Sequence, residues 1–453
     1  MKKLLLSLAI AFGAINSGFA ADLYVNNSGQ SGTYITIQAA INSASTGDNI
    51  YVSPLNSYQE SLSITKSIRI ASSVAGSRII VTQDIKISPL ANILVELIGI
   101  EGTDVILDTQ TSTLGPNSRG RAIITDCSFH DISLDTDYLT LLVVKCSLSG
   151  TLTGRHGKVI GNTITEKIII NDEPNIGIGD SIVIKANNVT GYIETKTDDH
   201  SVIIQNNKAA RILVSNWRAG VTIAGLISNN TVISRDEYRY RMNSTSTTFT
   251  SGNYTYYPYN SQLGYLYITG GCINIKIAAT NQDVSNMSII NNYIEDLSSR
   301  RKNGSASNRY ATNQWCAVGV SENTPTIYPV VQYNIFDSNN FKSGNDYRND
   351  NYYGFFSKYW GGGGIYNTQT NIGTADDAQI ISEGKDIGSP SPKFFDADLS
   401  RSDIGHVGGD NSWEMFHGSN SVTGAAYIIS LDLPSEIWPG QTINLKAEAV
   451  HTN

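Results

Sequence analysis

Apolar positions along this chain change period once. Over Tyr34–Val52, YITIQAAINSASTGDNIYV, the residues Ile37, Ala40, Ile41 and Ala44 fall at i, i+3, i+4 and i+7, the spacing of one helical face. Gly47-Asp48 ends that pattern, and Ile50-Tyr51-Val52 opens a β-rich run. The spacing predicts a short amphipathic helix lying like a lid over the open end of a stack of strands. From Ser61 onward come SLSITKSIRIAS, SRIIVTQDIKIS, NILVELIGIEG, RAIITDCSFHDISL, YLTLLVVKCSLSG and HGKVIGNTITEKIII. Each carries Ile, Val or Leu at alternate positions and closes on turn-forming residues, the signature of short strands.

The runs then settle around asparagine: VIGNTIT at 159–165, IKANNVTG at 184–191, IIQNNKAA at 203–210, LISNNTVIS at 226–234 and IINNYIED at 289–296. Their centres lie near 162, 188, 207, 230 and 292, in steps of about 26, 19, 23 and 62 residues. A repeat of roughly 20–25 residues falls in the range of stacked architectures, and the last step has room for two or three more turns or an insertion. Asn tolerates the left-handed backbone of a tight turn, and amides stacked layer on layer hydrogen-bond along the column. The asparagines therefore read as structural, ahead of any ligand role. Together these features predict an all-β parallel solenoid.

Composition adds an address. Met1–Ala20 has Lys2-Lys3, a mostly apolar Leu4–Phe12, and small residues Gly18 and Ala20 before a cut after position 20, the layout of a secretory signal. The expectation is an exported protein, secreted or at the cell surface. No later run reaches the roughly 20 apolar residues of a spanning helix. The formal net charge of -8 argues against a nucleic-acid partner, which needs a basic stripe. Four cysteines, Cys127, Cys146, Cys272 and Cys316, are too scattered for a CxxC motif. Cys127 and Cys146 stand nineteen residues apart in similar settings, TDCSF and VKCSL. At about one coil of separation they stack, roughly 4.8 Å apart along the axis; a buried ladder is the preferred reading, with a disulfide as the alternative in an oxidising compartment.

The stretch ITIQAAINSASTGDNIYV, followed by Tyr58, Glu60 and ITKSIRI, resembles the opening of the pectate-lyase-like superfamily of right-handed parallel β-helices, with Asn56-Ser57 where a Gly usually precedes the Tyr. The NNxI and NNxV units resemble its repeats, so the likeness spans about residues 35–345. It implies a right-handed parallel β-helix with an N-terminal capping helix and lateral loop insertions. It does not imply an activity, because this fold hosts lyases, hydrolases, esterases and non-enzymes. The expected division is a signal over 1–20, the β-helix over 21–372 with a lateral insertion at about 235–271, an associated segment over 373–420, and terminal strands over 421–453, read as an edge cap or the start of a truncated β domain. Within the insertion, eight tyrosines lie between 238 and 267 around STSTTFTSGNYTYY, a β-hairpin or long loop. The associated segment, Gly388-Ser389-Pro390, then DADLSRSDIG at 396–405 and Gly408-Gly409, resembles the GSP…DxDGSRxDIGxxGG segment that follows the β-helix in secreted bacterial members, with Leu399 in place of the usual Gly.

Candidate chemistry is sparse. Asp198, Asp199 and His200, in KTDDHSV, superficially resemble the paired carboxylates of polygalacturonase-type hydrolases, but the NTD, GHG and RIK motifs of that family are missing. Acidic turn residues explain them more simply. Asp396, Asp398 and Asp403 alternate as carboxylates do in Ca²⁺ loops, against a simpler reading as Asp turns paired with Arg401; Ca²⁺ is the one cofactor considered. Six His with no HxH or HExxH spacing exclude a recognisable zinc motif. The second aromatic cluster, DYRNDNYYGFFSKYWGGGGIY at 346–366, sets Tyr352, Tyr353, Tyr359 and Trp360 among Asn and Asp. That composition suits sugar rings, whose apolar C–H faces stack on aromatics; packing against the solenoid flank is the competing use. Three classes of function follow: a non-catalytic binder of polysaccharide or cell-surface glycan, which is preferred, a polysaccharide lyase or glycoside hydrolase, and a structural spacer.

Overall fold

The computed structural model describes residues 20–88, 90–108, 119–171, 181–197, 201–216, 222–234, 249–251, 254–256, 270–276, 283–296, 315–321, 329–337, 372–374, 385–386, 388–396, 399–406, 408–409, 413–417, 426–432 and 446–451. Their strands form an all-β parallel solenoid with three faces. Among the described residues sheet A has twelve strands, from Asp22–Val25 to Val330–Gln332. Sheet B has eleven, from Ile79–Val81 to Ile372–Thr374, and sheet C ten, from Leu62–Ile64 to Trp315–Ser321. One coil is Leu139–Val144 in A, Ser147–Leu148 in B and Thr151–Gly154 in C. The next coil lies in register on it, Leu141 beside Gly157, Leu148 beside Ile164 and Leu152 beside Ile168.

Alternation sends every second side chain inward. In sheet A one inward column runs Ile50, Ile70, Leu97, Ile124, Val143, Val159 and on to Val331, all fully buried. β-branched residues suit such stacking because their restricted rotamers pack on a pleated surface, and each contributes roughly 1.5–3 kcal/mol of burial.

The corner from A to B is two residues long and carries a column of polar side chains. Its first residue takes positive φ: Asp126 52°, Lys145 56°, Gly161 68°, Ala186 53°, Asn206 58°, Asn229 53°, Asn291 59° and Tyr333 54°. Its second residue points inward, and its backbone N–H meets the equivalent side chain of the next coil. Asn162 N donates to Asn187 Oδ1 at 2.9 Å, Asn187 N to Asn207 at 2.9 Å and Asn207 N to Asn230 at 3.0 Å. Asn230 N continues to Asn292 at 3.0 Å, and Asn292 N to Asn334 at 2.9 Å. Each amide nitrogen also donates to main-chain carbonyls, as Asn207 Nδ2 does to Ile184 and Gln205 at 2.9 Å. The cysteines extend the column: Cys146 N donates to Asn162 Oδ1 at 2.7 Å and Cys127 N to Cys146 Sγ at 3.4 Å. Cys127, Cys146 and Cys272 are buried free thiols, and burial, then Cys127, pushes the Cys146 thiol well above its ordinary range. The side chain of Cys316 lies outside the described residues.

Two details differ from the sequence reading. The left-handed turn and the ladder fall on successive residues instead of one asparagine, and the ladder member of IKANNVTG is Asn187, not Asn188. For the step of 62 residues the insertion is the alternative observed: Ile227 pairs directly with Ile289, so the step is one coil. Its extra chain falls between Ser234 and Gly270, where the described residues hold one antiparallel pair, Phe249–Ser251 with Tyr254–Tyr256.

At the N-terminal end, helix α1 (Ile37–Ser43) buries Ile37, Ala40 and Ile41 in the solenoid core. Thr36 accepts from Ala39 N at 3.1 Å, and the Glu60 carboxylate accepts from Ile37 N at 2.7 Å and Gln38 N at 2.9 Å. These bonds satisfy donors a helix start leaves open. The Gln38 amide pairs both ways with the main chain of Ser63, at 2.8 and 3.3 Å, so it occupies the place of a neighbouring strand on sheet C. Asp48 holds Ala21 N at 2.8 Å and Ser45 N at 2.7 Å. Further along, Ala426–Asp432 pairs antiparallel with Lys446–His451.

The ladder separates two adjacent asparagines sharply. Asn187→Ala leaves buried main-chain groups unsatisfied and is expected to cost about 1–3 kcal/mol. Asn188→Ala, on the half-buried strand position, is expected to stay within about 0.5 kcal/mol. Urea unfolding of the two variants checks this, and equal costs would contradict the assignment.

Candidate functional site

Asp198, Asp199, His200, Tyr352, Tyr353, Tyr359, Trp360 and Asp398 lie outside the described residues. Asp396 and Asp403 are described, and both belong to a strap, the described residues between 385 and 417, that lies on the outside of the A–B corner. Asp396 Oδ2 accepts from Asp403 N at 3.0 Å, its Oδ1 accepts from Gly409 N, and Asp403 Oδ1 accepts from Asp386 N at 2.8 Å. These oxygens are engaged in turn hydrogen bonds, the simpler of the two readings of the segment. Arg401 Nε donates to Gly388 O at 2.6 Å, with its guanidinium 5.9 Å from the Tyr333 ring. Among the described residues no group of three His, Cys, Asp or Glu is placed to hold a metal.

The strap is read by the outward asparagines of the corner. Ser389 N donates to Asn291 Oδ1 at 2.7 Å, and Asn291 Nδ2 donates to Ser402 Oγ at 3.2 Å. Asn229 Nδ2 donates to Ser402 Oγ and Asp403 O, both at 3.0 Å. Asn206 Nδ2 donates to His406 O at 3.2 Å and to Gly408 O. Ile404 packs with Tyr293 and Ile335 on the outer side of sheet B, while Phe416 packs with Leu142, Val144 and Ile160 on that of sheet A. Phe416 lies so close to Gly161 that a Cβ there would collide with its ring. Between them, Lys208 Nζ stands 4.7 Å from the Trp413 ring, which stacks on His417 at 4.0 Å.

Two charged groupings lie away from the strap. At the corner from C to A, Arg155 pairs with Asp135 at 2.8 Å and Asp137 at 2.9 Å. Burial pushes the Arg155 guanidinium down, but the hydrogen bonds and charges of the two aspartates outweigh it and hold it above its ordinary value. On the outward side of sheet C, Glu194 and Arg211 are both buried, at 8% and 2% exposure, and Lys196 lies 3.9 Å from Glu194.

One aromatic pair is set among polar groups. On the outward side of sheet A, Tyr24 and Tyr51 stack with ring centroids 5.6 Å apart and 25° between planes, and Tyr24 is 50% exposed. Two residues earlier on the same strands, Asn49 Nδ2 donates to Asp22 Oδ1 at 2.9 Å. The next coils continue that polar column with Arg69 and Glu96, 3.6 Å apart. The signal for this face is the repeated LYV and IYV of Tyr24 and Tyr51, which the aromatic-rich later segments overshadow.

Leu399 occupies the position where the resembling segments carry Gly; its φ is 67° and its side chain is 80% exposed. A left-handed L-residue costs roughly 1–2 kcal/mol, so Leu399→Gly is expected to tighten the docked strap by about 1 kcal/mol. Asp396→Ala is expected to loosen it by about 1–3 kcal/mol, equally in Ca²⁺ and in EDTA. Hydrogen exchange of the strap reads both; loosening that Ca²⁺ reverses would restore the metal reading. No protein-family model, curated protein or solved structure matches this chain.

Proposed function

We propose that the chain is an exported, non-catalytic β-solenoid that binds a polysaccharide or cell-surface glycan. The observation that supports this most is the Tyr24–Tyr51 stack, with Tyr24 exposed and Tyr51 half-buried, beside the Asp22–Asn49 and Arg69–Glu96 pairs. A pyranose offers an apolar C–H face and a rim of hydroxyls. An aromatic ring matches the face, and neighbouring amide and charged side chains match the rim. A regular solenoid repeats such a row at about 4.8 Å per coil, so a chain of sugars lies along it without bending. In this reading residues 1–20 export the protein, helix α1 closes the end of a right-handed helix of pectate-lyase-like type, and Tyr352, Tyr353, Tyr359 and Trp360 supply a second aromatic contact.

The alternative is a lyase or hydrolase. Glu194, Lys196 and Arg211 on the outward side of sheet C favour the lyase, because eliminative cleavage needs a basic group and a carboxylate on one face. The spacer reading needs neither surface.

The chain from Ala21 onward, passed over immobilised acidic and neutral polysaccharides, is expected to be retained by at least one. Tyr24→Ala and Tyr51→Ala are each expected to weaken retention about three- to tenfold, the value of an aromatic contact of about 0.5–1.5 kcal/mol. Release of unsaturated uronates or new reducing ends would replace this reading with the enzymatic one. No retention and no product would leave the spacer.

A further inference from the structure

The strap meets the corner through two imidazoles. His406 Nδ1 lies 2.8 Å from Thr231 Oγ1, which also accepts from His406 N at 3.2 Å. When Nδ1 of the neutral ring carries no proton, the Thr231 hydroxyl donates to it while accepting from His406 N. His417 Nε2 donates to Ala186 O at 2.7 Å. Both rings contact Trp413, His406 edge-on at 5.1 Å and His417 stacked at 4.0 Å. The other face of this cluster is lysine: Lys208 stands over the Trp413 ring. Among the described residues, the charges acting on the imidazoles are Lys208 on both, Lys145 on His417 and His417 on His406. Of the strap's carboxylates, Asp396 and Asp403 hold strap main-chain N–H groups, and Glu414 stands at the start of the short helix Glu414–His417 that ends in His417.

We propose that the strap is an acid-released clasp: its seat at the A–B corner accepts neutral His406 and His417 beside Lys208, and protonating these rings undocks residues 385–417. The rest of the contact is compatible with reversible docking. It includes side-chain amides bonding strap main chain and the Ser402 hydroxyl, a main-chain bond from Gly405 N to Asn291 O, cation–ring contacts at Tyr333 and Trp413, and apolar contacts at Ile404 and Phe416, with no strand of the strap added to the three sheets among the described residues. Undocking exposes the Leu142, Val144 and Ile160 strip and the amides of Asn206, Asn229 and Asn291.

The sign follows from the docked state. Burial, then Lys208 and His417, lowers His406 to about 3. Burial also lowers His417, the hydrogen bond to Ala186 opposes that, and Lys208 and Lys145 reinforce it. Groups held neutral when docked take up protons on release, so docking is fully stable above the ordinary imidazole pKa. It weakens as pH falls through about 6.5 toward the docked values. Between pH 7.5 and 5.5 the docking equilibrium is expected to shift about tenfold through His406, with the lowering of His417 adding to it in the same direction.

The test is hydrogen exchange of the full chain at pH 7.5 and 5.5, corrected for the intrinsic exchange rate and read over the strap and over residues 203–210 and 226–233. The expected result is protection of the strap at pH 7.5 that falls at pH 5.5 while the inward ladder of sheet A stays protected. In the His406→Gln, His417→Gln double variant, the acid loss is expected to disappear. Lys208→Met, which removes the shared neighbouring charge, is expected to shrink it, and decides the matter alone if the double variant is undocked at pH 7.5. Equal strap protection at both pH values overturns the clasp. So does an undiminished acid response in Lys208→Met.

Discussion

The solenoid depends on one constraint, the two-residue corner between sheets A and B. A corner that short turns the chain from one face to the next with its first residue in the left-handed region and its second turning a main-chain N–H inward, away from water. That N–H costs free energy unless paired. The Asn side chain of the neighbouring coil supplies the partner, and its own nitrogen in turn satisfies carbonyls of the coil before it. The coil-to-coil step nonetheless varies from 16 residues, between Cys146 and Asn162, to 62, between Asn230 and Asn292. The described corners from Asp126-Cys127 to Tyr333-Asn334 keep their length, so the variation is absorbed at the other two corners. Insertions are tolerated where the main chain does not have to complete a buried column.

The same corner explains the doubled asparagines. Asn207, Asn230 and Asn292 face inward and build the ladder, while Asn206, Asn229 and Asn291 face outward and hold the strap. Where the strap is held by other means, the outward residue need not be Asn. It is Gly161 under Phe416, and Ala186 where His417 uses a main-chain carbonyl. Asp126 shares the tolerance of Asn for positive φ, while Lys145 adopts it at a cost.

The fold was legible because its determinants are local and repeat: alternate Ile and Val, one helical stripe, and Asn at a recurring step. The motif around Tyr58 and Glu60 also carried its meaning, since Glu60 binds the start of α1 and Tyr58 is buried, its hydroxyl donating to Ser53 O. Periodicity alone did not say which of Asn187 and Asn188 turns inward, because a one-residue shift leaves the pattern nearly unchanged. The strap partners were hidden for a different reason. Asn206 and Gly408 are 202 residues apart, and no local pattern encodes such a pairing. For Asp396 and Asp403 the sequence offered Asp turns ahead of Ca²⁺, because alternating carboxylates suit both. The hydrogen bonds to Asp403 N, Gly409 N and Asp386 N show the turn use.

Ladder and strap together divide the outer surface. The strap occupies the A–B corner and takes the apolar outward side chains Leu142, Val144, Ile160, Tyr293 and Ile335 into contact with Phe416 and Ile404. These are the residues that an unstrapped solenoid would leave as a greasy seam, and exposed seams of that kind invite association. Upstream, sheet A carries Tyr24, Tyr51, Arg69 and Glu96 on its outward side instead, a mixture of rings and charge that is stable in water without a cover. One sheet thus holds two surfaces of different chemistry: an apolar one that the chain covers with its own C-terminal segment, and an aromatic–polar one suited to an external ligand. The boundary between them follows from composition, not from backbone geometry, because the register is continuous from Asp22 to Gln332.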